Sequence, residues 1–296
     1  MKDYLKLIRV KHYIKNVLIF AALIFSGQLL AADKLKNCII GFAAFCLVSS
    51  AIYIINDIKD KDRDTLHPKK KNRPVASGKV SVKAAVIAAV ICLILAGLCF
   101  AFIFNIYAFL LILTYVVINL LYSFGLKNIP LLDVTILVSG FLIRVIYGAA
   151  ITGIEVSGWL YLTVITLSFF MAFGKRRNEL KAESSNDTRK VLKGYSLNFL
   201  DKSMYLCLAM ANTFYALWTM DSATIEHYGN NKILFTVPIV LLITLKYCLD
   251  IEKETSDGDP TEVLFHDKAL LALCMLYAVL MMFLLYFGKL RMLLGF

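Results

Sequence analysis

The chain has 296 residues, of which 59% are hydrophobic and only 18% charged, and its formal net charge is +11. A soluble domain is about 45–50% apolar and about 25% charged, so this composition excludes a conventional water-soluble globule and points to lipid as the solvent. The positive charges lie in loops between apolar runs, which favours membrane lipids and anionic substrates as partners and argues against nucleic acid.

The length suits one helical membrane domain over residues 1–296, without room for a sizeable soluble one. About 20 apolar residues cross a bilayer. By that measure spans are predicted near 15–32, 38–56, 84–104, 106–124, 131–152, 156–174, 203–220, 233–249 and 268–287. The stretch Val17 to Leu30 lacks a small-residue cleavage site and reads as the first span rather than a signal peptide. The expected architecture is an all-α integral membrane bundle of about nine helices with cytoplasmic catalytic loops. The seven cysteines form no CxxC pair, lie mostly within apolar runs, and read as small buried hydrophobes.

Before the first span comes a polar set, Arg9, Lys11, Lys15 and Asn16. The second span ends in Asn56-Asp57-Ile58-Lys59-Asp60-Lys61-Asp62-Arg63-Asp64. If the helix continues, each residue turns ~100°. With Asn56 at zero, Asp60, Asp64 and Asp57 then fall within about 100° of it, while Asp62 lies near 240° in the solvent. Carboxylates on one helical face repel unless a cation sits among them. Mg²⁺ suits that position because it takes oxygen ligands and shares its shell with substrate phosphates. The competing reading is an exposed helix end of alternating charge, which Lys59, Lys61 and Arg63 would support.

The following loop runs His67-Pro68-Lys69-Lys70-Lys71-Asn72-Arg73-Pro74, with Ser77-Gly78-Lys79 beyond it. Its prolines and glycine forbid a continued helix. Tyr115, Asn119 and Tyr122 form one stripe of the fourth span. The fifth span carries Asp133 and Arg144, and a charge at Arg144's depth is costly unless it faces protein or a wet cavity. After the sixth span comes Gly174-Lys175-Arg176-Arg177-Asn178-Glu179, a basic cluster of the kind that binds phosphate. Topogenic charge alone could also account for any one of these lysines. With the N-terminus inside, 26 lysines and arginines fall on the inner side and five on the outer. The positive-inside rule therefore sets the N-terminus and both charged loops in the cytoplasm, across the cytoplasmic membrane.

These motifs resemble the UbiA superfamily of membrane prenyltransferases over nearly the whole chain. The carriers are Asn56-Asp57-x-x-Asp60-x-x-x-Asp64, Arg73-Pro74 and Tyr122-Ser123-x-x-Leu126-Lys127. Within that superfamily the sequence is most similar to the decaprenyl-phosphate phosphoribosyltransferases. The closer signatures are Arg9 through Asn16, His67-Pro68-x-Lys70, Leu132-Asp133 with Ser139-Gly140-Phe141-x-x-Arg144, Gly174-Lys175-Arg176, and Asp259-Pro260-x-Glu262. Val10 and Tyr13 stand where that branch usually has proline and tryptophan.

The resemblance implies Mg²⁺-dependent transfer of 5-phosphoribosyl from phosphoribosyl diphosphate to a polyprenyl phosphate. It implies metal ligation by Asp57, Asp60 and Asp64. Phosphates would be held by Lys15, Lys70, Arg73, Lys175, Arg176 and Arg177, with Asn16, Asn56, Tyr122, Lys127 and Arg144 shaping the site. The basic cluster at Lys175 stands where conventional prenyltransferases carry a second aspartate motif, and the signature of soluble phosphoribosyltransferases is absent. A conventional prenyltransferase alkylating an aromatic or quinone precursor, and a transporter of an anionic lipid or metabolite, are the competing functions. A transporter would carry broken midplane helices and paired repeats. Oligomeric state is left open, a homo-oligomer included.

Overall fold

The computed structural model describes residues 2–66, 70–181, 190–252, 263 and 267–293. His67, Pro68 and Lys69, and the Asp259-Pro260-x-Glu262 signature, lie outside the described residues. All regular elements among the described residues are helical. They are α1 (Lys2–Leu7), a 3-10 helix (Val10–Phe20), α2 (Ala21–Phe25), α3 (Ala32–Lys59), α4 (Lys61–Leu66), α5 (Val82–Ala101), α6 (Ile106–Phe124), α7 (Leu132–Thr152) and α8 (Gly158–Lys181), followed by α9 (Leu197–Met220), α10 (Ser222–Tyr228), α11 (Val237–Ile251) and α12 (Lys268–Leu293).

Among the described residues, seven helices are long and apolar enough to cross a membrane, against the nine spans expected. The chain is a multi-pass membrane protein. Two expected spans take another form. Residues 15–32 fold as the end of the 3-10 helix and the five-residue α2 rather than as one long helix. Residues 203–220 lie in α9, which is long but diluted by polar groups that bind its neighbours. Asn212 donates to Thr244 Oγ1 of α11 at 3.3 Å, and Tyr215 shares a hydrogen bond with Thr236. Such bonds link helices where lipid offers no polar partner. The thin break expected at Asn105 is real. Its side chain caps α6 by accepting from Ala108 N at 3.1 Å and also donates to the Ala150 carbonyl.

The chain divides into two compact units, Met1–Lys127 with Ile143–Glu155, and Asn128–Leu142 with Val156–Phe296. In the first unit α3 is central. Ala51 and Ile54 pack with Ala85, Ala89 and Cys92 of α5, whose small side chains let the helices approach closely. The opposite face of α3 carries Phe45, which stacks at a tilt on Tyr115 and Tyr147. Gly148 lies against the backbone of Ile19, so closely that a Cβ there would sit 1.8 Å from the Ile19 carbonyl oxygen. That contact fixes the second half of α7 beside the 3-10 helix.

In the second unit α8 and α9 pack along each other, and α11 packs on α9 and α12. Its core gathers Phe170, Phe173, Leu200, Met204, Leu208 and Ile251. Lys246 bridges Asp250 and Asp267, and Asp267 also caps α12 by accepting from Leu270 N. The Lys246 ammonium, aided by that amide, holds the Asp267 carboxyl well below the ordinary carboxylate range.

Candidate active site

The site in the first unit begins where α3 ends. Asp57 is 2% exposed and pairs with Arg9 and, at 3.2 Å, with Arg73 Nη1. The same Nη1 lies 2.6 Å from Asp64 Oδ2. Two carboxylates seven residues apart, about two helical turns, thus converge on one nitrogen. Asp60 departs from the expected arc. The helix breaks there, at φ −90° and ψ 9°, and its carboxylate meets Lys127 Nζ at 3.3 Å instead. Asp62 is exposed, as expected.

Asn56 accepts from Ser123 Oγ, and Lys59 donates to the Ser123 carbonyl at 2.8 Å, which joins the ends of α3 and α6. Lys70 and Tyr122 are half-buried, on the turn before Arg73 and on the last turn of α6. Lys15 is half-buried on the 3-10 helix.

Arg9 and Ser123, which sequence reasoning left outside the candidate site, bond directly to its candidate residues Asp57 and Asn56. Arg9 stood among the N-terminal cations, but nothing in its spacing shows the ion pair to Asp57, 48 residues away. It adopts a left-handed backbone at φ 54°, unusual for a side-chain-bearing residue, with its guanidinium 4.9 Å from the Tyr53 ring centroid.

Arg144 is buried on α7. Its Nε donates to Asn16 Oδ1 at 2.8 Å and its Nη2 to Tyr115 Oη at 3.0 Å, and it lies over the rings of Phe45 and Tyr115. Asp133, the acidic partner considered from sequence, pairs elsewhere.

The basic cluster lies in the second unit and is extensively paired there. Arg176, 1% exposed, donates through Nε to Asp133 Oδ2 and through Nη1 to Glu179, each at 2.6 Å. Tyr195 donates to the other Asp133 oxygen at 2.7 Å and accepts from Leu131 N. Burial, and then the bond to Asp133, push the Tyr195 phenol above its ordinary range. Arg177 pairs with Asp201 and Glu252. Asn178 donates to the Ile251 carbonyl at 2.7 Å. The expectation of phosphate-holding arginines therefore meets side chains already satisfied by carboxylates. Lys175 is half-buried on the same helix.

The donor set at α3 suits a hard cation such as Mg²⁺, because every candidate ligand is an oxygen and two carboxylates already aim at one cationic position. That position is filled by the Arg73 guanidinium. In this conformation no three His, Cys, Asp or Glu side chains gather into a metal cluster among the described residues.

Residues 17–220 match the model of the UbiA prenyltransferase family. The chain belongs to that family. Two UbiA-type relatives are similar almost from end to end. The decaprenyl-phosphate phosphoribosyltransferase of Corynebacterium glutamicum is 33% identical across 94% of this chain and 85% of its own length. That of Mycolicibacterium smegmatis is 33% identical across 90% and 87%. A UbiA homologue from Archaeoglobus fulgidus, solved bound to GPP and Mg²⁺, shares the fold with a TM-score of 0.69 at 22% identity, covering 94% of this chain and 99% of that one.

Proposed function

We propose that this chain transfers 5-phosphoribosyl from phosphoribosyl diphosphate to the phosphate of a polyprenyl phosphate and releases diphosphate. What carries the reading is the convergence of Asp57 and Asp64 on a shared cation at a helix end, in a chain one-third identical to enzymes named for this reaction. In the reaction the C1–O bond to diphosphate breaks, and its electron pair leaves with the diphosphate. An oxygen of the lipid phosphate forms the new bond to C1. That oxygen is already anionic at neutral pH, so no side chain is required as general base.

Asp57 and Asp64, with Asp60, would hold Mg²⁺, which when bound supplies charge neutralisation to the departing diphosphate. Arg73 and Arg9 exchange carboxylate for phosphate oxygens as the anionic substrate arrives. Lys15, Lys70 and Lys127 add cationic contacts, while Asn56 and Tyr122 border the same end of the first unit. In the second unit, Lys175 is the cation of its cluster proposed to bind phosphate, while Arg176 and Arg177 chiefly hold structure. The enzyme works at the cytoplasmic membrane with this end facing the cytoplasm.

Purified protein given labelled phosphoribosyl diphosphate and a polyprenyl phosphate should yield labelled lipid, and should release diphosphate only when both are present. Consumption of a polyprenyl diphosphate with alkylation of an aromatic acceptor would overturn the proposal in favour of conventional prenyl transfer.

A further inference from the structure

The 3-10 helix from Val10 to Phe20 is unusually long, since such runs seldom exceed three or four residues. Its three residues per turn divide the side chains into three rows. Tyr13, Asn16 and Ile19 form the row turned inward, with Asn16 and Ile19 buried. Lys11, Ile14 and Val17 are exposed, and His12, Lys15 and Leu18 are half-buried between the two.

Each member of the inward row is pinned. Tyr13 shares a 2.8 Å hydrogen bond with Ser50, Asn16 Nδ2 donates to Cys46 Sγ at 3.1 Å, and the Ile19 carbonyl accepts from Cys38 and abuts Gly148. The partners descend α3 from Ser50 to Cys38 while the segment ascends, so it runs antiparallel to α3 in a fixed register. Arg9 on Asp57 closes the upper end. Arg144 brings a buried charge onto this row, through its bond to Asn16 Oδ1.

We infer that Arg144 is a positioning residue. By holding Asn16 it locks the rotation of the 3-10 helix, and so decides which way the His12–Lys15 row is turned toward the phosphate-binding end. An α-helical segment would advance 100° per residue instead of 120° and would scatter the three rows. The inference rests on the proposed phosphoribosyl transfer for its kinetic consequence, but its structural consequence stands apart from that reaction.

The test is a double-mutant cycle of Asn16→Ala and Arg144→Gln in the full-length protein, with hydrogen exchange followed by mass spectrometry. Each single change should raise the KM for phosphoribosyl diphosphate about tenfold, the scale of one hydrogen bond to a charged group. The KM for polyprenyl phosphate should move much less. Because Arg144 acts through Asn16, the double variant should be no worse than the poorer single one. Exchange should rise across residues 10–20 and stay unchanged in the second unit.

Asn16→Asp keeps the acceptor for Arg144 and should restore protection of that segment. Multiplying kinetic effects, or lost activity with unchanged exchange at 10–20, would overturn the inference and make Arg144 a direct substrate contact. Absence of phosphoribosyl transfer in the parent protein would sink the proposed function, while the exchange data would still decide this inference.

Discussion

Asp57, Asp60 and Asp64 share a motif but not their partners. Two converge on Arg73, and the third meets Lys127 because the helix breaks beneath it. Asp64→Asn should lower Mg²⁺-dependent turnover by about 100-fold or more, since losing even an outer-shell partner costs about 10- to 100-fold. Asp62→Asn, on an exposed side chain, should change the rate little when the two proteins are assayed side by side.

Arg176 behaves differently. Removing it leaves Asp133 buried without its cation, and breaking a buried pair costs about 3–5 kcal/mol. Arg176→Ala should therefore appear first as a lower melting temperature in detergent and only secondarily in the KM for phosphoribosyl diphosphate. The Asp57–Asp64 alignment was readable from helical periodicity. The Arg176–Asp133 pair was not, because 43 residues separate partners whose meeting depends on how two helices pack.

Among the elements, α3 and α6 were readable from apolar length and from the polar groups at their ends. The segment at 10–25 was not, because hydropathy reports how apolar a stretch is and not which helix it forms. The decisive contacts there are made by Asn16 with Arg144 and by Gly148 with Ile19, all distant in sequence. Gly148→Ala places a Cβ against backbone that has little freedom to yield. It should cost at least the about 1–3 kcal/mol typical of overpacking, read as a reduced melting temperature with faster exchange at 10–20. Gly97→Ala, with open space around it in α5, serves as the control and should be neutral or slightly stabilising.

For the molecule as a whole, the division of charge between loops is the basis of the proposed orientation in the bilayer. A cysteine replacing Lys71 should be shielded from a membrane-impermeant thiol reagent in intact cells, and one replacing Asn230 should label. The unsubstituted chain, with its seven native cysteines, sets the background. Labelling at Lys71 would turn the site to the opposite side of the membrane.

The site also balances its own charge. Arg9, Arg73 and Lys127 stand as counter-ions to Asp57, Asp60 and Asp64. It therefore works as a small ion exchanger supplied with its own tethered cations. A bare divalent ion would have to displace them into a partly buried space that already has no net negative charge, whereas a metal that arrives with diphosphate brings the anions those cations need. Mn²⁺ followed by electron paramagnetic resonance should accordingly bind weakly to the protein alone and at least about tenfold more tightly once inorganic diphosphate is added, a gap of about 1.4 kcal/mol. The resting enzyme would then draw little on the cell's free magnesium, and metal uptake would be timed by the donor substrate.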